Sequence, residues 1–138
     1  MVANAQRRLA ALVALAVTIA AGLVAVSLPE SAVTDVVGDA LYVVAAYAGL
    51  VVVMPRVSSF VVGAIAAVWS VGVEFFQLTG LPVQWAAEFR PLGLVFGGVF
   101  DTRDLAVYVV AASVTTGIDI AGRRVLLRAR CSPRSIDS

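Results

Sequence analysis

The sequence predicts an all-α polytopic membrane protein whose four transmembrane helices form a small bundle. Its 138 residues are 61% hydrophobic, with a mean hydropathy of +0.98, whereas soluble domains are about 45–50% apolar. Four apolar stretches of about 19–22 residues alternate with charged connections, and at ~1.5 Å per residue each helix would match a ~30 Å hydrocarbon core. Continuous apolar runs exclude a transmembrane barrel, whose strands alternate apolar and polar residues. The stretches are residues 9–28, 36–54, 57–78 and 104–122.

Turn and cap residues mark the ends of the first two spans. Pro29 follows span one, Thr34 or Asp35 can cap span two, and the pair Pro55–Arg56 favours a tight turn before span three. Span one has an alternative interpretation as a cleaved signal peptide, because residues 25–27 resemble a cleavage site. The apolar region of a signal peptide usually has about 7–15 residues, so the greater length of this stretch favours a membrane span.

The connection between spans three and four is long and mixed in character. Residues 80–100 are moderately hydrophobic but contain two prolines and two charged residues, namely Pro82, Glu88, Arg90 and Pro91. A continuous lipid-facing helix does not tolerate that content. We therefore expect a short interfacial or re-entrant helix around residues 83–90, followed by a second apolar piece. Asp101, with Asp104 three residues later, predicts a capping box at the start of span four.

All ten basic residues are arginine, and they divide unevenly between the two sides of the predicted bundle. Eight of them lie on one side, before span one, between spans two and three, or after span four. They are Arg7, Arg8, Arg56, Arg123, Arg124, Arg128, Arg130 and Arg134. Because cytoplasmic loops are rich in basic residues, we expect both termini in the cytoplasm. Exclusive use of arginine beside abundant alanine, valine and glycine is typical of a GC-rich bacterial genome, which indicates a bacterial cytoplasmic membrane.

The chain thus divides into a transmembrane domain, residues 1–122, and a basic cytoplasmic tail, residues 123–138. The tail arginines are expected to lie on the anionic inner leaflet, where each contributes about 1 kcal/mol of binding. They are Arg123, Arg124, Arg128 and Arg130. The predicted partners are membrane lipids and a protein partner in a membrane complex, and no nucleic acid is expected.

Small and polar residues recur at helical spacing along the spans. In span three they fall four, three, four and three residues apart, which places them on one face: Gly63, Ala67, Ser70, Glu74 and Gln77. A ridge of small residues in span one comprises Ala10, Ala14, Thr18 and Gly22. Small residues let membrane helices approach closely, so both faces are expected to contact other helices. Asp119 and Arg123 are spaced for a salt bridge within span four.

Ionisable residues from three spans are expected in one layer near the outer face. Asp39 and Asp104 lie in the first turns of spans that start outside, Glu74 lies late in a span that runs outward, and Arg90 is the expected counter-charge of Glu74. The predicted polar or ligand-binding cluster is Asp39, Tyr42, Glu74, Gln77, Arg90, Asp104 and Tyr108. Helix capping explains the two aspartates without a ligand, and an ion pair explains Glu74 structurally. The functional and the structural interpretation both remain open.

Catalytic and metal sites are not predicted. The chain has no histidine, the commonest general base and a frequent metal ligand. Three carboxylates beside an arginine more often form a charge network than a divalent-cation site. The lone Cys131 cannot form a disulfide within the chain. We therefore predict no catalytic residue, no metal and no cofactor.

Short motifs in a fixed order carry a family resemblance. They are Gly38-Asp39-Ala40-Leu41-Tyr42, Glu74-Phe75-Phe76-Gln77, Arg90 and Asp104-Leu105-Ala106-Val107-Tyr108. With this order and spacing, nearly the whole chain resembles a small bacterial membrane-protein family, the domain-of-unknown-function family two-eight-zero-nine. The order is also similar to that of the wider VanZ-like group, named for a protein linked to teicoplanin resistance. The resemblance implies roles for Asp39, Glu74, Gln77, Arg90 and Asp104, but no established activity. Two VanZ-like features, a His after the span-two acid and an Asn after the span-four acid, are missing here.

Several classes of function fit these features. The VanZ-like resemblance favours a non-enzymatic cell-envelope protein whose outer polar cluster engages a lipid or a cell-envelope precursor head group. The small-residue faces favour a small accessory subunit or assembly factor of a larger membrane complex. A minimal coupled transporter is less favoured, because transporter sites lie near the midplane beside broken helices and Glu74 is more peripheral. An intramembrane enzyme is the least favoured class.

Overall fold

Six helices make up the part of the chain that the structure describes. This computed structural model describes residues 2–29, 31–96 and 100–131, with the side chains of residues 2, 3, 94 and 129–131 outside the description. In chain order the helices are α1 (Val2–Ser27), α2 (Ala32–Val53), α3 (Ser59–Gln77), α4 (Leu81–Glu88), α5 (Pro91–Phe96) and α6 (Thr102–Cys131). The helices α1, α2, α3 and α6 are long and apolar enough to cross a membrane. The predicted all-α architecture with four spans is confirmed.

The first and last helices extend beyond the predicted spans. Helix α1 begins at Val2 and therefore includes both N-terminal arginines. Helix α6 continues to Cys131, so the first part of the predicted tail prolongs the last membrane helix. Arginine and leucine favour helix, which explains why the helix does not end where the apolar stretch ends. Residues 132–138 of the tail and the side chain of Arg130 lie outside the described residues.

The N-termini of α2 and α6 have polar caps. Ser31, and not Thr34 or Asp35, is the N-cap of α2. Its hydroxyl accepts a hydrogen bond from the Thr34 N–H at 3.2 Å, and the Thr34 hydroxyl accepts one from the Ser31 N–H at 2.8 Å. This reciprocal pair is a capping box. Asp101 caps α6, because its carboxylate accepts a hydrogen bond from the Arg103 N–H at 2.8 Å.

Two short helices fill the connection between α3 and α6, in agreement with the predicted short helix and second apolar piece. Gly80 turns the chain from α3 into α4 with a φ of 72°, a left-handed conformation that glycine adopts at little cost. The ring of Phe76 on α3 lies 5.5 Å from that of Trp85 on α4 and 5.8 Å from that of Phe96 on α5. These aromatic contacts hold both short helices against the end of α3.

Helix α2 packs against each of the other three long helices, and α3 also packs against α6. The predicted face of α3 is turned inward, since Gly63, Ser70, Glu74 and Gln77 are buried and Ala67 is partly buried. Helices α3 and α6 approach closely at Gly63, where an added Cβ atom would overlap the side chain of Thr116 on α6. The small-residue stripe therefore predicted this helix contact correctly.

The predicted ridge of α1 is wrong in part. Ala10 and Ala14 are exposed, whereas Arg7, Ala11 and Thr18 are buried. The buried face of α1 is set by Arg7, whose side chain reaches between the other helices. Its polar contacts rotate the helix so that Ala11, one turn further along, packs against α2 and α3 residues in the apolar core.

The charged residues separate to the two ends of the bundle. At the first end, which we call the arginine-rich end, Arg7 contacts the turn between α2 and α3 and also Asp119 near the end of α6. The start of α1 and the last turns of α6 therefore lie on the same side of the bundle. The opposite end, which we call the acidic end, holds Asp35, Asp39, Glu74, Asp101, Arg103 and Asp104.

Candidate ligand-binding cleft

A cleft of about 490 Å³ lies at the acidic end of the bundle, bordered by residues of α1, α2, α3, α5 and α6. Its polar lining residues are Thr34, Asp35, Asp39, Tyr42, Gln77, Asp101, Arg103, Asp104 and Tyr108. The apolar part of the wall includes Val26, Val73 and Val95. The structure thus brings Asp39, Tyr42, Gln77, Asp104 and Tyr108 of the predicted cluster together around one space.

The polar residues of α6 and α2 form layers of increasing depth. Arg103 and Asp35 are exposed at the mouth. Asp39 lies one turn further along α2, about 6 Å deeper at ~1.5 Å per residue. Tyr108 lies one turn below Asp104 on α6 and is buried. A molecule entering the cleft would therefore meet a cation and an acid first, and two further acids below them.

Glu74 lies behind the cleft and is fully buried. Its carboxylate accepts hydrogen bonds from the backbone N–H of Asp101 at 2.6 Å and from the hydroxyl of Tyr108 at 3.1 Å. In a capping box, the residue three positions after the N-cap takes that backbone N–H. Here Glu74 of α3 takes it, and the Asp101 carboxylate accepts from the Arg103 N–H and not from Asp104, so Asp101 is a simple N-cap and the predicted box of Asp101 with Asp104 does not form. Glu74 thus positions the start of α6, and the carboxylate of Asp104, which is not needed for this hydrogen bond, lines the cleft.

Three buried oxygen atoms of the cleft residues accept no hydrogen bond from the described part of the chain: Asp39 Oδ2, Gln77 Oε1 and Asp104 Oδ1. Gln77 is the most informative, because its side chain is buried and its Nε2 donates to the carbonyl oxygen of Phe96 at 2.9 Å. That hydrogen bond fixes which way the amide points, so Oε1 is directed away from Phe96. An unsatisfied buried acceptor costs about 1–3 kcal/mol, which marks this position as one that suits a hydrogen-bond donor.

Asp39 and Asp104 bring two carboxyl groups within hydrogen-bonding reach of each other. The nearest cation is Arg103, whose Nε lies 3.8 Å from Asp104 Oδ1 and whose Nη2 lies 3.9 Å from Asp35 Oδ2. Both distances exceed the usual 2.7–3.2 Å of an N–H···O hydrogen bond. The arginine therefore supplies charge to the mouth of the cleft without satisfying the two buried aspartate oxygens.

The predicted ion pair between Glu74 and Arg90 is wrong. Arg90 is exposed in the short break between α4 and α5, and it forms no ion pair or hydrogen bond with any described side chain. Glu74 is satisfied by a backbone N–H and a tyrosine hydroxyl, so it needs no arginine. The base that reaches the acids is Arg103, which the N-terminus of α6 holds beside Asp104. The sequence contains a signal for this contact, since Arg103 directly precedes Asp104.

A second polar cluster, at the arginine-rich end, was not predicted. The buried Arg7 donates to Asp119 through Nε at 3.2 Å and through Nη2 at 2.5 Å. Its Nη1 donates to the carbonyl oxygens of Pro55 and Val57 at 2.8 and 2.7 Å. The hydroxyl of Tyr47 donates to Asp119 Oδ2 at 2.7 Å. Because the guanidinium is bonded on all three nitrogens, this cluster joins the helices and is not a candidate ligand site.

The predicted salt bridge between Asp119 and Arg123 is also wrong. Arg123 donates to the hydroxyl of Ser59 at 3.3 Å, while Asp119 is taken by Arg7 from another helix. An acid in the last third of an apolar span is a sequence signal that a basic side chain from another helix pairs with it. The position of that partner depends on how α1 is rotated, which local spacing does not encode.

Within residues 2–29, 31–96 and 100–131, no group of three or more His, Cys, Asp or Glu side chains is arranged to hold a metal ion. The acids of the cleft are interleaved with Tyr42, Gln77 and Tyr108 and with one arginine. Such a mixture favours contacts with a polar organic group over close coordination of a divalent cation. The cleft therefore offers hydrogen-bond acceptors and one cation to a bound molecule.

Comparison with known families and proteins gives one match. A family model described as "Protein of unknown function (DUF2809)" matches residues 28–112. This segment contains the residues that line the cleft on α2, α3, α5 and α6, whereas Arg7 and Asp119 lie outside it. No curated protein and no solved structure shows significant similarity to the chain. Because the match covers more than half of the sequence, the chain belongs to the DUF2809 family of proteins of unknown function.

Proposed function

We propose that this protein is a non-enzymatic membrane protein that binds the head group of an amphipathic molecule, a lipid or a cell-envelope precursor, in the cleft at the acidic end. The observation that carries the proposal is Gln77 Oε1, a buried acceptor with a fixed direction and no donor among the described residues. Asp39 Oδ2 and Asp104 Oδ1 add two more such acceptors at the same cleft. Proteins rarely leave buried acceptors unpaired, which supports a ligand that donates hydrogen bonds.

The surroundings of the cleft support an amphipathic ligand over a fully water-soluble one. Val26 in the last turn of α1 and Leu28 just after that helix contribute to the wall, and both side chains are exposed. Val33 and Val37 on the first turns of α2 are exposed nearby in sequence. An apolar chain could lie along these valines in the lipid while its head group occupies the cleft, because burial of each CH₂ group contributes about 0.8 kcal/mol.

The proposed setting is the outer face of a bacterial cytoplasmic membrane. The arginine distribution supports a cytoplasmic location for the end that contains Arg7, Arg56 and Arg123. The basic extension of α6 would then contact the anionic inner leaflet, and the cleft would meet lipids of the outer leaflet. The VanZ-like resemblance of the motifs around Asp39, Glu74 and Asp104 supports a role at the cell envelope.

Copurification from membranes tests the proposal. The full chain, the Asp39→Asn/Asp104→Asn variant and a Glu88→Gln control are purified in mild detergent, and bound lipids and proteins are identified by mass spectrometry. Glu88 is a suitable control because its acid is exposed on α4. We expect one amphipathic species to be enriched with the wild type and the control but lost from the double variant.

Identical lipid profiles for all three proteins would contradict the proposal. A protein recovered in equal stoichiometry with all three would instead favour an accessory subunit or assembly factor. The substitutions keep side-chain size while replacing a charged acceptor oxygen with an amide N–H donor, so a lost ligand cannot be attributed to a cavity. Circular dichroism of each purified protein confirms that the helices are retained.

A further inference from the structure

Arg103 gives the mouth of the cleft an anion-binding capacity. Its side chain is 44% exposed, and its two ion-pair contacts, at 3.8 and 3.9 Å, are too long to be hydrogen bonds. The guanidinium makes no side-chain hydrogen bond within the described ranges, so its donors are available. Its two acidic neighbours hold it in place without occupying those donors. A planar guanidinium fork suits the oxygens of a phosphate.

The inner part of the cleft has the opposite character. Its unpaired atoms, Asp39 Oδ2, Gln77 Oε1 and Asp104 Oδ1, are all acceptors, and two of them belong to acids. A primary ammonium carries three N–H donors and a positive charge, so it suits a region whose acceptors belong to Asp39, Gln77 and Asp104. A hydroxyl has a single donor, and a quaternary ammonium has none.

The net charge of the cleft argues against a purely anionic ligand. Asp35, Asp39, Asp101 and Asp104 line it together with one arginine. A head group that carried only a phosphate would be attracted by Arg103 but repelled by the acids around it. A zwitterion with its ammonium inside and its phosphate at the mouth matches both regions.

The spacing of the two regions fits a short linker. Arg103 and Asp35 are exposed, whereas the acceptor atoms are buried. One turn of α2 separates Asp35 from Asp39, which corresponds to a depth of about 6 Å. A phosphate joined to an ammonium through two carbons spans a comparable distance.

We infer that the cleft selects an aminoethyl phosphate group, the head group of phosphatidylethanolamine, with the ammonium between Asp39, Gln77 and Asp104 and the phosphate on Arg103. This inference rests on the proposed head-group binding function. The same chemistry occurs in free O-phosphoethanolamine, so the lipid and the soluble compound are tested separately.

Native mass spectrometry of the full chain in mild detergent measures this selectivity. Three lipids with identical acyl chains are titrated: phosphatidylethanolamine, phosphatidylcholine and phosphatidylglycerol. We expect the ethanolamine lipid to bind at least about tenfold more tightly than the others, the effect of about one charge-assisted hydrogen bond. Competition with O-phosphoethanolamine shows whether the free head group is sufficient for binding. Displacement of the lipid means that it is sufficient, and failure to displace the lipid means that the intact lipid is the ligand.

Two arginine variants form a matched pair. Arg103→Gln should weaken binding of the ethanolamine lipid about tenfold, as expected for one lost phosphate contact. Arg90→Gln removes an exposed arginine on the same side of the bundle that pairs with no described side chain, and it should not change lipid binding. The Asp39→Asn/Asp104→Asn variant should lose the preference for the primary ammonium over choline.

The wild-type selectivity tests the inference even if a variant fails to fold. Equal binding of the choline or glycerol lipid overturns it, and so does an equal effect of Arg103→Gln and Arg90→Gln. In either case the head-group function still stands if the double aspartate variant loses its copurified amphipathic species. If that variant retains every lipid that the wild type binds, the proposed function fails as well.

Discussion

Arg7 on α1 and Asp119 on α6 form a two-pronged ion pair between side chains 112 positions apart in the sequence. The two side chains are 5% and 16% exposed. Helix α1 packs mainly against α2, and this ion pair, together with the packing of Ala11 in the apolar core, links it to α6 and α3. It also ties the turn between α2 and α3 to the same point through two carbonyl oxygens of that turn.

Breaking this ion pair should destabilise the protein strongly. Arg7→Ala leaves the Asp119 carboxylate in a mostly buried position without its cation, and we expect a loss of about 3–5 kcal/mol in the free energy of unfolding. Replacing both residues with apolar ones, Arg7→Met with Asp119→Leu, should restore most of that loss. Denaturation in detergent measures both effects. Arg8→Ala, at an exposed neighbour, is the control, and equal stability of the two alanine variants would contradict the expectation.

Gly63 should tolerate no larger side chain. A Cβ atom there would overlap Thr116 Oγ1 and approach Thr116 Cβ to 3.3 Å, so Gly63→Ala should cost about 1–3 kcal/mol through overpacking of α3 against α6. Gly72→Ala is the matched control, because a Cβ at Gly72 meets no atom within 4 Å. Adding Thr116→Ala should recover part of the loss. Thermal unfolding of all variants measures these effects. Equal unfolding temperatures for Gly63→Ala and Gly72→Ala would refute the close contact.

Glu74 is expected to act through its hydrogen bonds more than through its charge. Glu74→Gln keeps an acceptor for the Asp101 N–H and a polar partner for Tyr108, so we expect a loss below about 1.5 kcal/mol. Glu74→Leu leaves both groups unpaired and should cost at least about 3 kcal/mol, since each unpaired group contributes about 1–3 kcal/mol. Unfolding in detergent distinguishes the two variants. Similar losses for both would mean that the charge itself is required.

The sequence predicted the helices well because the length of an apolar stretch and the local caps are properties of neighbouring residues. The inward face of α3 was also predictable, since Gly63, Ser70 and Glu74 recur at helical spacing. The ends of α1 and α6 were less predictable, because arginine allows a helix to continue beyond the apolar stretch.

The polar pairings were not predictable from the sequence. Glu74 and Asp119 were each assigned to an arginine on the basis of topology or local spacing, but their partners come from elsewhere. Which residue reaches an acid depends on the rotation of each helix about its axis and on the fold of the connection that contains Arg90. The gathering of Asp39, Gln77 and Asp104 was anticipated because all three lie at the same depth, and depth can be counted along a helix.

Cysteine labelling should place the acidic end outside the cell. In a Cys131→Ser background, a cysteine at Ser31 should react with a membrane-impermeant maleimide in intact cells, because Ser31 is exposed at the acidic end. A cysteine at Ser135 in the tail should react only after the membrane is permeabilised. The eight-to-two division of arginines between the two sides is the reason. Labelling of position 135 from outside intact cells would reverse the proposed orientation.

Asp104→Asn should separate the structural from the functional role of the cleft acids. Asp39 and Asp104 lie within hydrogen-bonding reach, and two carboxylates so close together repel each other. An asparagine at 104 removes this repulsion and can donate a hydrogen bond to Asp39 Oδ2. The helix dipole favours an acid at this position by only about 0.3–1 kcal/mol. We therefore expect the ligand-depleted variant to be more stable than the wild type, by about 1 kcal/mol.

The same substitution should weaken binding of the copurified ligand, since it removes one charge and directs an N–H group into a cleft of acceptors. A change that stabilises the protein and impairs binding identifies a site whose residues are suited to a ligand at some expense of stability. Glu88→Gln is the control, because Glu88 is exposed on α4 and does not line the cleft, and it should change neither stability nor ligand retention. If Asp104→Asn instead lowered the unfolding temperature and left ligand retention unchanged, the two aspartates would serve the start of α6 and not a ligand.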